Sequence, residues 1–387
     1  MSKKPSLPGK LFRVFIVFFC FLLLVSVGIA AYVYVDLSRA IKRNEAVDLG
    51  GRKLPEDYKG AFNILIVGSD SGGGDPRYKR GGENLADVTI LVHVSADRTH
   101  AEAVSIPRDT IVDIPQCTGA NGTSLAAQKK VRFNSSLFRG GLGCTVKTAE
   151  LLTGLNIEYA ALLQFNSVIG ITETIGGVPV CLKGPIKDKY TGLDLPAGLH
   201  NISGQTALAF LRSRHSIGDG SDLSRIRSQQ GFLSSMLRKI RKINFVAEPL
   251  KAYSIFRTIL SNTTLSTSLN SLEKLGGMLL ATLKVKPGNF VFLRYPTRVV
   301  GNVVYPVLQQ AKALNEALLE DRPITLLGGK NNRLGVEITT PSAISETPSS
   351  PTKQTESIPA TTSPIGVEIQ SIGQTGEDES CVVPYGE

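Results

Sequence analysis

The chain has 387 residues, 42% of them hydrophobic, enough for one sizeable core plus further segments. Its 43 Lys+Arg against 33 Asp+Glu give a net charge of +10, and because residues 338–387 hold seven acids and one Lys, the first 337 residues stand at +16. Such a basic body calls for an anionic partner. The four His and five Cys include no CxxC and no pairing at zinc-ligand spacing, which argues against a structural metal site built from them.

Residues 1–13 carry Lys3, Lys4, Lys10 and Arg13, and the uncharged run Val14–Val35 follows. As a helix that run reaches roughly 33 Å, enough for a hydrocarbon core of about 30 Å, and the preceding charges favour a cytoplasmic N-terminus. A cleaved signal peptide is the alternative, with Ile29-Ala30-Ala31 as a weak cleavage site, but the apolar run exceeds the usual ~7–15 residues. A retained single-pass anchor in the cell membrane is therefore expected, with everything after residue 36 extracytoplasmic.

Residues 36–60 read as a polar connector. Phe62–Val67 is a buried strand that runs into Gly68-Ser69-Asp70 and a Gly-rich segment. Val88–Val94 and Ala101–Ile106, around a short polar turn, predict a hairpin. Helical patterns cover Val146–Leu152 and Ser167–Ile175, with a strand at Val178–Cys181. Ser224–Lys242 places Leu233, Met236, Leu237 and Ile240 at i, i+3, i+4 and i+7, one face of an amphipathic helix. Strands and helices interleave from 61 to 243 and on through 244–337, so the expected fold is α/β, an α-β-α sandwich around a central mixed sheet. Residues 338–380 are Ser/Thr/Pro-rich and read as a disordered linker, ahead of a Cys-containing tail at 381–387.

Three polar clusters sit where elements end. Asp70 and Asp87 flank adjacent strands and together suit a hard cation, although on residue chemistry alone Asp70 reads better as a turn cap and Asp87 as a solvated loop charge. Ser105-Ile106-Pro107-Arg108-Asp109-Thr110 is a sharp strand exit that can aim a guanidinium into a cleft. Arg212-Ser213-Arg214, read as extended, and Asp222…Arg225…Gln229, at the start of a helix, add three guanidiniums and a helix terminus for one anion. No helix-turn-helix, zinc-finger or aromatic RNP signature accompanies these charges, so nucleic acid is not the expected partner.

Cys20 lies in the apolar run, and the other four Cys form an even set suited to an oxidising compartment. Cys117 and Cys144 bracket a Gly-rich segment and are expected to pair. That leaves Cys181 at a strand end and Cys381 beside an apolar Val-Val-Pro-Tyr island. The alternative for Cys381 is a lone thiol, yet a docked tail with a Cys181–Cys381 bridge is the expectation.

Asn63–Asp70, Ser105–Thr110, Arg132-Phe133-Asn134-Ser135, Gly176–Val180, Leu208–Arg214 and Asp222…Arg225…Gln229-Gln230 occur in that order. Together, over residues 61 to about 243, they resemble the LytR-CpsA-Psr family. The resemblance implies a phosphotransferase that moves a glycopolymer from a polyprenyl-pyrophosphate carrier to a peptidoglycan acceptor with Mg²⁺. It further implies Asp70 and Asp87 as metal ligands and Arg108, Arg132, Arg212, Arg214, Arg225 and Gln229 around the pyrophosphate. Arg108 and Asp222 would be catalytic, Asp222 as a base by position only. The chain departs from the family where Leu85 precedes Ala86-Asp87, in place of an Arg-Ser-Asp pattern, and where Ser228 replaces an Arg before the Gln. Arg77 or Arg80 is a candidate substitute for the first. Two other readings stay open: a polyprenyl-pyrophosphate hydrolase, and a non-catalytic lipid-binding or regulatory membrane protein.

Overall fold

The computed structural model describes residues 7–43, 47–49, 59–69, 84–119, 122–245, 247–269, 271–326, 336–339, 366–369, 371 and 373–386. The chain opens with helix α1 (Leu7–Arg43), 37 residues long. Phe12–Lys42 has the length and hydropathy of a membrane span, with its most apolar window wholly exposed. The helix does not stop at Val35. Leu37, Ala40 and Ile41 are buried in the domain, Asp36 Oδ2 accepts from Tyr253 Oη (2.8 Å), and Arg257 Nε lies 3.0 Å from the same oxygen. Residues 36–43 of the expected connector are thus a rigid continuation of α1, because its last turns carry an apolar stripe that the domain covers.

The central layer is built from β1 (Phe62–Ser69), β2 (Ala86–Val94) and β3 (Ala101–Ser105), the last two forming the expected hairpin. After α2 (Ser135–Thr153) and β4 (Tyr159–Leu163) come α3 (Phe165–Thr174) and β5 (Val178–Leu182). A short hairpin of β6 (Ile186–Asp188) and β7 (Leu193–Leu195) leads to β8 (Gly198–Ile202), α4 (Gly204–Arg212) and α5 (Asp222–Arg241). Then follow α6 (Pro249–Asn262), β9 (Thr263–Leu265), α7 (Leu272–Lys284), β10 (Phe290–Arg294) and α8 (Leu308–Leu319). Two late strands, β11 (Gly373–Thr375) and β12 (Glu379–Val382), return to the body.

The main sheet has seven strands in the order β9-β4-β1-β2-β3-β10-β11. β1 pairs parallel to β4, and β3 parallel to β10, while the other neighbours run antiparallel. The sheet is mixed, as expected. Alternation along each strand feeds two cores. Leu65, Val67, Leu91, Val104 and Leu293 face α2 and α8, whereas Phe62, Ile90, Val92, Ala103 and Phe292 face α1, α6 and α7. These layers make the α-β-α sandwich.

A third core joins β5 and β8 to α4 and α5. Helix α5 lies between two cores, and the single apolar face expected for it divides. Leu233 and Leu237 pack on the main sheet; Met236 and Ile240, with Phe232, pack on the smaller one. At 100° per residue these are adjacent stripes, and burying both requires partners on two sides.

The linker expected over 338–380 is not structureless throughout. Residues 367–369 pair with 324–326, and β11 adds an edge to the main sheet. Gly373 permits the latter, since a Cβ there would collide with the Phe292 carbonyl. Both cystine bridges are present, Cys117–Cys144 and Cys181–Cys381. The second joins β12 to β5 as a parallel neighbour, and Val382 enters the third core. The first packs on Gly140, where a side chain would meet both Cys117 and Cys144.

By the start of β1 and β3 a polar row caps one end of the sandwich, with His93, His100 and Glu102 buried and Asp321 partly exposed. His93 Nδ1 contacts Asn63 Oδ1 (2.9 Å), His93 Nε2 contacts Asp321 Oδ1 (2.9 Å), and His100 Nδ1 contacts Glu102 Oε1 (3.0 Å). Burial pulls the His100 pKa down, but Glu102 and Asp321 outweigh it and hold it above the ordinary value. A raised native pKa stabilises the fold fully below the unfolded value of about 6.5, and that increment is lost as pH rises through the native value. Thermal melts across that range should show this falling limb, and His100→Gln should flatten it. A second expectation concerns the bridges: mapping the unreduced protein should recover Cys117–Cys144 and Cys181–Cys381 as linked peptides. With a 27-residue separation, loss of the first should cost about 3–4 kcal/mol by loop entropy, read from denaturant midpoints.

Candidate active site

The carboxyl ends of β1, β3 and β4 lie at one end of the main sheet, and residues of α3, α4 and α5 line a cavity with them. It has a volume of about 390 Å³. Ile66, Val88, Ile90, Leu163, Leu211 and Leu233 give it an apolar inner wall, and Arg108, Arg212, Arg214 and Arg225 also line it.

Arg108 stands just past β3, held in a turn whose backbone is braced by Asn134 N donating to Arg108 O (3.0 Å) and Phe133 N to Thr110 O (2.8 Å). Its guanidinium gathers three carboxylates: Asp87 Oδ1 at 2.7 Å from Nη1, Asp109 Oδ2 at 3.5 Å and Asp222 Oδ1 at 3.6 Å from Nε. Burial lowers the Arg108 pKa, but Asp87, Asp222 and Asp109 together carry it above the ordinary value. Arg225, in the first turn of α5, is more deeply enclosed. Its Nη2 reaches Asp222 Oδ1 (2.6 Å) and donates to Asp87 O (3.2 Å). Burial, reinforced by the neighbouring Arg108 and Arg214 charges, pulls its pKa below the ordinary value. Arg225 Nε is buried without a hydrogen-bond partner among the described residues and has capacity for an anionic oxygen; Arg108 Nε makes no hydrogen bond among them but stands against the Asp109 and Asp222 carboxylates.

Arg212 is not in an extended segment. It ends α4, with its guanidinium 4.6 Å from the centre of the Phe165 ring, and it reaches the cavity together with Arg214. Gln229 lines the cavity too, but its Nε2 donates to Leu211 O (2.9 Å), tying α5 to α4. Asp222 does not line the cavity; it stands beneath the two guanidiniums it pairs with. Arg132 is 49% exposed, lies outside the cavity wall and pairs with Asp109 (3.4 Å). Its segment supports the site through the backbone contacts to residues 108 and 110.

Asp87 is the described member of the expected metal pair; Asp70, Arg77 and Arg80 lie outside the described residues. Among the described residues no group of three or more His, Cys, Asp or Glu could hold a metal by itself. Ser228 is fully buried and donates to Arg225 O (3.0 Å), a structural bond from a position where a longer side chain was expected. Arg227 is buried and does not line the cavity, so it does not stand in for the missing Arg. The residue motifs gave no sign of Asp188, Tyr190, Thr191 and His215, which also line the cavity. Lys187-Asp188-Lys189 looks like a solvated charge run, and only the fold turns Asp188 inward.

The LytR_cpsA_psr family model matches residues 30–317, about three quarters of the chain. The cell wall biosynthesis protein LcpA of Corynebacterium glutamicum is 28% identical over 236 residues, covering 53% of this chain. The match spans 45% of LcpA, under half its length. The polyisoprenyl-teichoic acid–peptidoglycan teichoic acid transferase TagT of Bacillus subtilis is 26% identical over 242 residues, 58% of this chain and 69% of TagT. Among solved structures, the LytR-Csp2A-Psr enzyme from Actinomyces oris superposes with a TM-score of 0.55 at 22% identity, over 71% of this chain and 96% of that one, a likeness of fold. A family match across most of the chain, on the fold and motif order described above, means that this protein belongs to the LytR_cpsA_psr family.

Proposed function

We propose that the chain is a single-pass, membrane-anchored phosphotransferase acting outside the cell, which moves a glycopolymer from a polyprenyl-pyrophosphate carrier onto peptidoglycan. One observation carries this reading: a single cavity joins an apolar inner wall to four guanidiniums. A prenyl chain needs the first and a pyrophosphate the second. The transferase activity named for TagT supports it, as does the exposed apolar length of α1, which would hold the domain at the membrane that carries the lipid.

Phosphoryl transfer asks a protein mainly for positioning and charge neutralisation. Arg108 and Arg225 would bind phosphate oxygens through their guanidinium N–H groups, with Arg212 and Arg214 closing the other side. Asp222, fixed between Arg108 and Arg225, would aim both guanidiniums rather than take a proton. Mg²⁺ suits the donor set, since it is commonly held by one or two carboxylates plus substrate phosphate oxygens, and Asp87 stands beside the arginines assigned to those phosphates. Asp87, with Asp70, would hold the ion, which when bound supplies charge neutralisation on the phosphate oxygens.

Purified full-length protein incubated with a labelled polyprenyl-pyrophosphate sugar and peptidoglycan should give labelled peptidoglycan. Release of free sugar phosphate alone would indicate the hydrolase, and binding without turnover a non-catalytic lipid binder. Arg108→Lys and Arg225→Lys should each lower turnover roughly 100-fold or more, since an ammonium cannot replace a planar, multi-donor fork. Lys242→Ala, an exposed position beyond the end of α5, should leave turnover unchanged. Arg241 is unsuited as a control because its Nη1 donates to Val285 O (2.6 Å). Asp87→Asn should raise the Mg²⁺ concentration needed for half-maximal turnover; an unaltered Mg²⁺ dependence would remove Asp87 from the metal site.

A further inference from the structure

The apolar helix α1 is joined to the domain so closely that little of it is left over. Going outward along it, contacts with the domain begin at Val33, which packs on the core shared by α1, α6 and α7, and at Tyr34, whose Oη donates to Glu273 Oε1 in the first turn of α7 (3.2 Å). Arg13 is the last charge before the uncharged run. Residues 14–32 are therefore the apolar length that stays clear of the domain, and as a helix they reach roughly 28 Å, against a hydrocarbon core of about 30 Å. A domain raised by the depth of one headgroup layer, about 5–8 Å, would draw about one turn of apolar helix out of the hydrocarbon. Tyr32 and Tyr34 are both exposed at the outer end of the run, where a membrane–water interface favours Tyr.

Helix α6 extends to that same level. Asp36 Oδ2 meets Tyr253 Oη (2.8 Å) and Arg257 Nε (3.0 Å), and further along both segments Val47 N donates to Leu265 O (2.9 Å). α1 and α6 thus run in the same direction, and the start of α6 lies on the apolar side of Asp36. Leu250 is three residues before Tyr253, roughly 4.5 Å nearer the run and level with Val33. It is 73% exposed. A single exposed Leu means little by itself, but this one stands beside the end of an apolar span. Both cations of α6 are paired, Lys251 with Glu248 (3.1 Å) and Arg257 with Asp36, so its first turn offers an apolar contact rather than a charged one.

We propose that the first turn of α6 is a lipid-contact surface: Leu250 enters the outer headgroup–acyl boundary beside Tyr32 and Tyr34, and the domain is docked on the bilayer at α6 as well as held by α1. The inference rests on the membrane-anchored reading and extends it. The occupant is the bilayer surface itself, with no requirement for anionic lipid.

The chain contains no Trp, so a single introduced Trp reports its own surroundings. Full-length Leu250→Trp, Tyr32→Trp and Leu308→Trp would each be placed in phosphatidylcholine nanodiscs carrying nitroxide-labelled lipid, which quenches Trp emission on contact. Tyr32→Trp reports α1 itself. Leu308 is 81% exposed at the start of α8, across the sheet from α6, and its Trp variant shows how an exposed Trp behaves away from the span. Leu250→Trp should lose emission to about the extent of Tyr32→Trp, while Leu308→Trp keeps its emission. The loss should persist in about 1 M salt, where charge attraction is screened within about 3 Å. If Tyr32→Trp is unquenched, α1 does not lie in the bilayer, and the anchored reading fails together with the contact that rests on it. If Tyr32→Trp is quenched but Leu250→Trp no more than Leu308→Trp, the anchor stands and the α6 contact is overturned. Quenching of Leu250→Trp that disappears at high salt would overturn it as well, because ionic attraction would then be what brings the domain to the lipid.

Discussion

The site depends on Arg108 and the carboxylates that gather around it. Asp87 comes from the start of β2, Asp109 from the turn after β3 and Asp222 from the first turn of α5, so one guanidinium ties sheet, turn and covering helix together. Enclosing such charges costs several kcal/mol per ion unless each is paired, and the pairing repays that cost only when geometry is good. Asp222 extends the arrangement to Arg225, whose Nη2 also donates to the backbone of residue 87. The result is a cationic mouth that is organised before any anion arrives. In the proposed reaction an incoming pyrophosphate would meet guanidiniums already oriented and so would pay little to reorganise them.

Helix α5 makes this possible because it serves two cores. Leu233 and Leu237 hold it to the main sheet, while Phe232, Met236 and Ile240 hold it to the smaller one. A helix pinned on two sides cannot roll, so the residues of its first two turns keep their aim. Gln229, donating to Leu211 O, and Ser228, donating to Arg225 O, fix it further. The tail contributes from the far side: β12 lies on β5 through the Cys181–Cys381 bridge, and Tyr385 N and Gly218 N bond across to Ser216 O and Val383 O in the loop that follows Arg214. The oxidised bridge thus joins the tail to the smaller sheet and braces one wall of the cavity.

Much of this was legible in the sequence. Phe62–Val67 and Val88–Val94 are strongly apolar runs, and local pattern suffices for elements whose burial is set by their own composition. The long uncharged stretch before Asp36 announced α1, and the ordered motifs announced the family. Pattern reading did less well where burial is supplied by a distant partner. Residues 367–369 and 373–375 look like a polar linker, yet they become strands because Ile324–Leu326 and Phe290–Arg294 offer them open edges. Residues 36–43 look like a connector, yet α6 and α7 cover them.

The sequence by itself determined the α/β class, the apolar N-terminal helix and the supply of arginines, because each follows from residue type and short-range spacing; the cystine pairs were expected from the even set of four Cys, not from spacing, since Cys181 and Cys381 lie 200 residues apart. Tertiary structure decided which charges meet. Asp87 and Arg108 are 21 residues apart and Asp87 and Arg225 are 138 apart, and no periodicity in the chain encodes their contact. It also decided that Asp222 lies beneath the arginines rather than in the cavity, that Arg132 stays outside it, and that Asp188 turns inward from a run of surface lysines. Ion pairing and desolvation act through space, and only the folded sheet brings those strand ends within their few ångströms of reach.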